Sequence, residues 1–272
     1  MAVAFQNASN TTRRGGPAGT AGQRLIQARR GGIDVWIKDF SYETVRLGQR
    51  VHRLVSAFIR MELLRPSPSV DAAGLVDREL RKQSAFARSG IGVPDMERLS
   101  DTRLAVADAG KTLMARMDAL RAAGHADRHD DLLVLAAHAL SQAHAAGVCH
   151  GRPHPRDMGL ADGQVLFFDF EEEPEAVMSM ASAQARDTML LFTQIVALAM
   201  NPATAQKAFD VYRDGAPADT LDVLASLRRP VRHGARVGRL AARLHAGKDL
   251  VRFLNSVEFF ERALPVAGRP GA

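Results

Sequence analysis

The chain has 272 residues, of which 46% are hydrophobic, and it carries a formal net charge of +6. This size and apolar content are enough to bury one large core, or two lobes with a cleft between them. A membrane-spanning helix needs an apolar run of about 18 residues, and the sequence has none of that length. The first residues lack the pattern of a signal peptide. The single cysteine, Cys149, excludes an internal disulfide. We therefore expect a cytoplasmic enzyme or binding protein.

Arginine dominates the positive charge, and its guanidinium group favours phosphate or carboxylate partners. Two basic stretches lack the interleaved aromatic residues of a single-strand nucleic-acid platform, one after Tyr42 and one between Arg228 and Arg252. No repeat and no DNA-binding signature is found in the sequence. We expect no nucleic-acid partner, and a helical protein that binds polyanions is the weakest of three hypotheses on function.

The first 110 residues alternate between strand and helix patterns. Residues 1–22 are rich in Gly, Ala and Thr and predict a flexible arm. Residues 24–28 and 33–38 predict two strands joined in a hairpin at Gly31-Gly32. In the second strand, side chains alternate between two faces, so Asp34, Trp36 and Lys38 share one of them.

Two helices are predicted next, separated by a proline-containing break at residues 66–69. The first, residues 42–64, has an apolar stripe and a basic face. Such a helix can lie on an anionic membrane surface, or it can pack on its own domain with the basic face in solvent. The second helix, residues 71–89, contains Glu79. A glycine-rich turn ends it, and residues 104–110 then predict a strand followed by a turn.

The rest of the chain is predicted to be mostly helical. Residues 113–123 and 128–146 predict helices, Arg186-Asp187 opens another, and residues 203–265 continue the helical pattern with a basic surface between Arg228 and Arg243. Between these helices lies a loop from Val148 to Met158, and then a short apolar run that ends before Asp169. A loop with histidine and charged residues, followed by a strand that delivers an aspartate, is how kinase-like enzymes assemble their catalytic and metal-binding groups.

These ordered features resemble the protein-kinase-like superfamily, especially the small bacterial branch that includes the lipopolysaccharide core sugar kinases. The resemblance covers roughly residues 24–200 and implies an α+β, two-lobed fold. A strand-rich N-lobe would span residues 23–110 with the helix 42–64 inserted. A mostly helical C-lobe, residues 111–266, would carry the catalytic loop, and residues 267–272 would form a tail.

The resemblance also implies ATP and magnesium as cofactors, with a small-molecule, glycolipid or protein acceptor. Lys38 would reach the α- and β-phosphates of ATP, and Glu79 would be its ion-pair partner. Val106 and Asp108 would lie in the hinge that contacts adenine through its backbone. The basic face of the predicted helix 42–64 would allow a peripheral contact with the anionic inner face of a membrane. Asp169 would be the leading magnesium ligand, although an aspartate that only caps the turn after a buried strand gives the same pattern.

The loop departs from the family at its most important position. The family has His-Gly-Asp there, followed a few residues later by Asn. His150 and Gly151 match, but Arg152 stands where the aspartate is expected, and Asp157 stands where the asparagine is expected. We therefore assign the catalytic positions to His150, Arg152 and Asp157, with Asp157 also a second magnesium ligand.

A second alignment takes His154 to Asp157 as a variant His-Arg-Asp motif. It leaves Asp157 too close to Asp169 and puts Asp162 in the place of the asparagine, so it ranks second.

Arg152 separates the two leading hypotheses. An arginine cannot accept a proton in a protein, so the usual base is missing. The chain is then an atypical kinase in which Asp157 also approaches the acceptor, or a pseudokinase that serves as a binding module. Arg152 could instead hold an anionic ligand or pair with Asp157. The carboxylates from Glu171 to Glu173 are expected to form a solvated turn, although they could hold metal.

Overall fold

The computed structural model describes residues 24–42, 63, 65–227 and 248–264. The predicted arm, nearly all of the predicted helix 42–64, the basic surface from Arg228 to Arg243 and the tail lie outside these residues. Among the described helices, none combines the length and the apolar character needed to cross a membrane.

The N-terminal part is built on a four-stranded antiparallel sheet with strand order β1-β2-β4-β3. The predicted hairpin is present, and both glycines of its turn have positive φ angles. β3 was not predicted, because it is short and carries polar side chains on an outer position of the sheet. The strands are β1 (Leu25–Arg30), β2 (Ile33–Asp39), β3 (Met96–Ser100) and β4 (Arg103–Ala107).

Helix α1 (Ala72–Arg88) packs on one face of this sheet. Asp71 caps it by accepting a hydrogen bond from the backbone N–H of Gly74 at 2.8 Å, as expected for aspartate at this position. Leu75 and Val76 of the helix form a buried apolar cluster with β4 and with Phe40, which lies in a 3-10 turn after β2. This packing places the middle of α1 directly over the end of β2.

The C-terminal part is mostly helical and contains the larger core. α3 is central to it, and four phenylalanines from α4, α5 and α7 pack ring against ring. The predicted start of α4 at Arg186-Asp187 is wrong, because Ser179 caps this helix through a hydrogen bond from the N–H of Ser182 at 3.2 Å. The helices are α2 (Leu113–Ala122), α3 (Ala126–Ala145), α4 (Met180–Leu198), α5 (Thr204–Gly215), α6 (residues 218–227) and α7 (Lys248–Ala263).

A small hairpin joins the two parts. β5 (Met158–Ala161) pairs with β6 (Gln164–Phe167), and the N–H of Phe167 donates to the carbonyl of Gly92 at 2.9 Å. Gly92 is needed there, since a Cβ atom would lie 2.6 Å from the carbonyl oxygen of Val165. A small strand-rich lobe is therefore connected to a mostly helical lobe, which confirms the predicted α+β fold class.

Candidate active site

A cavity of about 620 Å³ lies between the two lobes, a size typical of a ligand site. The sheet forms one side, the connection from β4 to α2 forms the edge, and the ends of two C-lobe turns form the other side. Its lining residues are Leu25, Trp36, Lys38, Val106, Ala107, Asp108, Ala109, Gly110, Lys111, Thr112, Arg156, Asp157, Phe168 and Asp169.

Lys38 is the buried cation of this cavity. Its Nζ atom forms an ion pair with Glu79 of α1 and lies 2.6 Å from Oδ1 of Asp169. Burial alone would lower the pKa of Lys38, but the charges of Glu79 and Asp169 outweigh burial and leave the pKa raised, so the ammonium form persists. The second oxygen of Glu79 accepts a hydrogen bond from the N–H of Phe170 at 3.1 Å. The ion pair expected between Lys38 and Glu79 is present, and it links β2, α1 and the segment after β6.

Three carboxylates converge on Lys38. Oxygens of Glu79, Asp169 and Glu171 lie within 4.8 Å of one another, a spacing that would suit a metal ion. However, the Nζ atom of Lys38 contacts the first two and lies 4.0 Å from the third. The cation that this cluster holds is therefore the lysine ammonium group.

Two carboxylates that line the cavity, Asp157 and Asp169, have pKa values that are shifted in opposite directions. Burial, together with the charge of Asp169, raises the pKa of Asp157 to about 7. Burial would also raise the pKa of Asp169, but Lys38 outweighs it and lowers that pKa to about 2. Oδ2 of Asp157 is buried and has no hydrogen-bond partner among the described residues. Oxygen ligands of this kind, one of them unpaired beside a second carboxylate, fit a magnesium ion.

The loop from Val148 to Met158 is held from below by Asp187 of α4. The N–H of His150 donates to Oδ2 of Asp187 at 2.6 Å, and the N–H of Gly151 donates to Oδ1 at 2.8 Å. Gly151 has a φ of 101°, and a Cβ atom there would lie 2.6 Å from the carbonyl oxygen of Glu172. Asp187 therefore fixes the backbone of the loop through these two contacts.

His150 lies outside the cavity, and this location does not fit the catalytic position that the sequence analysis assigned to it. Its ring is 5.0 Å from the ring of Phe170, and its Nε2 atom lies 3.0 Å from the carbonyl oxygen of Phe168. Burial lowers the pKa of His150 to about 4, so the ring is neutral and Nε2–H donates to that carbonyl. The geometry makes His150 a residue that fixes the loop to the end of β6, because no part of its side chain lines the cavity.

Arg152 points towards the acidic residues that follow β6. Its side chain is 40% exposed, and Nη2 lies 3.9 Å from Oδ2 of Asp169 and 3.8 Å from Oε2 of Glu171. The arginine that pairs with Asp157 is instead Arg156, at 3.4 Å. The sequence hypothesis that Arg152 pairs with Asp157 is replaced by this arrangement.

His150 and His154, the histidines on which the two alignments of the loop depend, differ in their contacts. Asp187 holds the backbone of His150 and Gly151, whereas the ring of His154 caps a 3-10 turn by accepting from the N–H of Arg156 at 3.1 Å. His154 therefore shapes the turn that presents Asp157.

The hinge prediction corresponds to the edge of the cavity. Val106 is buried and lies opposite Trp36 in the β2–β4 register. The carboxylate of Asp108 accepts a hydrogen bond from the N–H of Gly110 at 2.9 Å, and this contact shapes the turn before α2. Both residues line the cavity, and their contact with a nucleotide stays a prediction.

Two aromatic residues of the cavity were not predicted as site residues. Trp36 lines it from the sheet, and Phe168 lines it from the end of β6, so the cavity has aromatic side chains from both lobes. The signal for Trp36 was available, since it shares a strand face with Lys38. The sequence contains no such signal for Phe168, because an apolar residue at the end of a strand usually belongs to the core.

The acidic run after Asp169 is not a solvated turn, which corrects the sequence expectation. The side chains of Glu171, Glu172, Glu173 and Glu175 are only 17–29% exposed. Each forms an ion pair with a lysine or arginine, so the run is part of the packed structure.

No protein-family model matches the chain, and no curated protein matches it. Among solved structures, the chain is similar to the MAP kinase LmaMPK10 from Leishmania major, with 17% identity over 94% of this chain and 80% of that chain, and a TM-score of 0.38. A likeness at this level carries no weight for function or for single residues. The fold class therefore rests on the strands, helices and contacts of the chain itself.

Proposed function

We propose that this protein is an ATP- and magnesium-dependent phosphotransferase that acts on a hydroxyl group of a sugar, glycolipid or protein. The observation that carries the proposal is the placement of Lys38 at the wall of the cavity, held between Glu79 of α1 and Asp169. A buried ammonium group in this position can contact phosphate oxygens, while its partners keep it charged and oriented.

The other cavity residues suit the remaining parts of the nucleotide. Backbone groups from Ala107 to Gly110 run along the edge where adenine would bind, and Trp36 offers an aromatic surface beside them. Asp169 and Asp157 would hold the magnesium ion, which neutralises charge on the phosphates when it is bound. The contacts of Asp187 hold the loop backbone at His150 and Gly151 without taking part in the chemistry.

Phosphoryl transfer demands positioning and electrostatic stabilisation more than covalent help. Arg152 cannot act as a base. Asp157 lines the cavity, and its carboxylate could accept a hydrogen bond from an acceptor hydroxyl. We propose Asp157 as the residue that orients the acceptor, and a sugar hydroxyl of a glycolipid at the inner face of the membrane as the first acceptor class to test.

A second candidate function, a pseudokinase that binds nucleotide without turnover, is favoured by Arg152. By the resemblance, its guanidinium group would take the place of the family's base, and it lies 3.9 Å from Asp169. A positive charge there would weaken the attraction of Asp169 for magnesium.

A thermal-shift titration with ATP, with and without magnesium, tests nucleotide binding. A ligand at about 100 times its dissociation constant stabilises the native state by about 2.7 kcal/mol. We expect a magnesium-dependent rise in melting temperature that Lys38→Ala abolishes. The matched control is Lys207→Ala, an exposed lysine paired with Asp131 on the far helices, which should keep the rise. An unchanged melting temperature of the wild-type protein in the presence of ATP and magnesium would refute the proposal.

Turnover separates the two candidates. Release of ADP in the presence of a sugar or glycolipid acceptor supports the phosphotransferase. Binding without turnover in the wild type, combined with a gain of turnover in Arg152→Asp, would support the pseudokinase.

A further inference from the structure

Four glutamates lie in the acidic segment, which we define as residues 171–175, between Asp169 and α4. Glutamate side chains are rarely buried unless they are paired, yet those of Glu173 and Glu175 are 17% and 23% exposed. Residues 168–178 contain no serine, threonine or tyrosine. The negative charge of the segment is therefore permanent, and phosphorylation within it cannot add to it.

The partners of the segment are three cations on one face of α1. Arg78, Arg81 and Lys82 are spaced by three and four residues, so their side chains are neighbours on the helix surface. The side chains of Arg78 and Lys82 are each 4% exposed, although they carry full charges. Such burial is costly without counter-charges, and the acidic segment supplies them.

Two of the contacts are close ion pairs. Nη2 of Arg81 donates to both carboxylate oxygens of Glu173, at 2.7 Å to Oε1 and 2.8 Å to Oε2. Nε of Arg81 donates to Oε1 as well, at 3.1 Å. Nζ of Lys82 lies 2.7 Å from Oε1 of Glu175. The bidentate form is the stronger and more directional kind of arginine–carboxylate contact.

The third cation binds the backbone of the segment. Arg78 donates from Nη1 to the carbonyl oxygen of Glu171 at 2.8 Å, and its Nε atom lies 3.5 Å from Glu173. The same guanidinium group donates to the carbonyl of Pro68, just before α1, at 2.7 Å. The acidic segment is thus fixed to the middle of α1, and Arg78 links it to the residues just before the helix.

These contacts lie next to the residue that holds Lys38. Glu79 follows Arg78 in the sequence, pairs with Lys38, and accepts a hydrogen bond from the N–H of Phe170 at 3.1 Å. A shift of α1 away from the acidic segment would move Glu79 away from both partners. The ion pairs and the Lys38 contact therefore depend on one position of the helix.

We infer that the acidic segment is a positioning element that holds α1, and through it Glu79 and Lys38, in the phosphate-binding arrangement without any added charge. Elsewhere, phosphorylation orders such a segment by creating a partner for arginine. Here the glutamates provide that partner in the sequence itself. The nucleotide readout of this inference rests on the proposed function, whereas its structural readout does not.

Glu173→Gln removes the bidentate pair and keeps the size of the side chain. We expect the affinity for magnesium-ATP to fall about tenfold, because the phosphate-binding lysine loses its fixed position. Binding of adenosine, which has no phosphates, should be unchanged. Amide hydrogen exchange at Phe170 should become faster, since its acceptor on Glu79 moves with α1. Glu173→Asp keeps the charge and should restore most of the ATP affinity.

Asp77→Asn is the matched control, because it removes an ion pair between the same helix and Arg98 that is exposed to solvent and does not contact the acidic segment. It should leave ATP affinity and the exchange of Phe170 unchanged. If Glu173→Gln does not fold, Arg81→Gln breaks the same pair from a side chain that is 55% exposed.

Unchanged exchange at Phe170 in both pair-breaking variants would overturn the inference, as would equal losses of ATP and adenosine affinity. A wild-type protein that binds no ATP would refute the proposed function alone, because the exchange experiment still tests the acidic segment.

Discussion

The ionisation of Asp157 should make the protein less stable as the pH rises. A substitution that removes this carboxylate should abolish the dependence. Its pKa is raised to about 7, mainly by burial and then by the charge of Asp169, while an aspartate in the unfolded chain has a pKa near 3.9. The folded state therefore holds this proton more tightly than the unfolded state. Stability from this group is complete below about pH 4, and it is lost as the pH rises towards about 7.

The size of the effect follows from the two pKa values. Their difference corresponds to about 4 kcal/mol above pH 7, and the Asp157 side chain is only 8% exposed, so solvent screens it little. An asparagine at this position would have nearly the same shape and no charge. We expect Asp157→Asn to be more stable than the wild type by about 1 kcal/mol at pH 4.5 and by about 4 kcal/mol at pH 8.

Urea denaturation between pH 4.5 and 8, with a metal chelator present, measures this difference. Asp131→Asn, at a carboxylate that is 65% exposed, is the control and should follow the wild-type profile. Magnesium should reduce the gap at pH 8, because a bound ion stabilises the charged carboxylate. Parallel stability profiles of wild type and Asp157→Asn across this range would refute the reasoning.

Three further substitutions test other contacts. Asp187→Asn presents an amide NH₂ to the backbone donors of His150 and Gly151, so urea denaturation should show a loss of roughly 2–3 kcal/mol; a loss below about 0.5 kcal/mol would contradict this. Trp36→Ala should weaken adenosine at least about tenfold in calorimetry and spare tripolyphosphate; equal losses would show that Trp36 does not contact the base. Gly151→Ala should lower the melting temperature by several degrees, because a Cβ atom would meet the carbonyl of Glu172 at 2.6 Å in a left-handed backbone; an unchanged melting temperature would contradict the steric argument.

Local periodicity explains the parts of the site that the sequence predicts. Alternation in β2 puts Lys38 on the face opposite Val35, and a helix was predicted over the residues that carry Glu79. The loop and the strand before Asp169 were predicted on the same grounds. Each of these features depends on neighbours within a few positions, where patterns of apolar and polar residues are informative. That Lys38 and Glu79 pair was instead implied by the resemblance to the kinase-like superfamily.

The acidic segment shows what local patterns miss. A run of glutamates before a proline has the composition of a solvated turn, yet Glu173 pairs with Arg81, 92 positions earlier in the chain. Only the packing of α1 on the sheet brings these charges together. The role of His150 was missed for the same reason, because burial among aromatic rings depends on residues from α1 and β6.

The hydrogen bond between Gly92 and Phe167 has a consequence for how the cavity opens. The two lobes are connected covalently along residues 107–112, and the hydrogen bond between Phe167 and Gly92 connects them at a second point. The ion pairs between α1 and the acidic segment are a further connection, so the sheet can turn against the C-lobe only as far as these pairs allow. Sliding of one lobe past the other would break the hydrogen bond, and the close approach of Gly92 to Val165 leaves no room for it. Opening of the cavity for entry or release of a ligand would then be coupled to the ion pairs of α1.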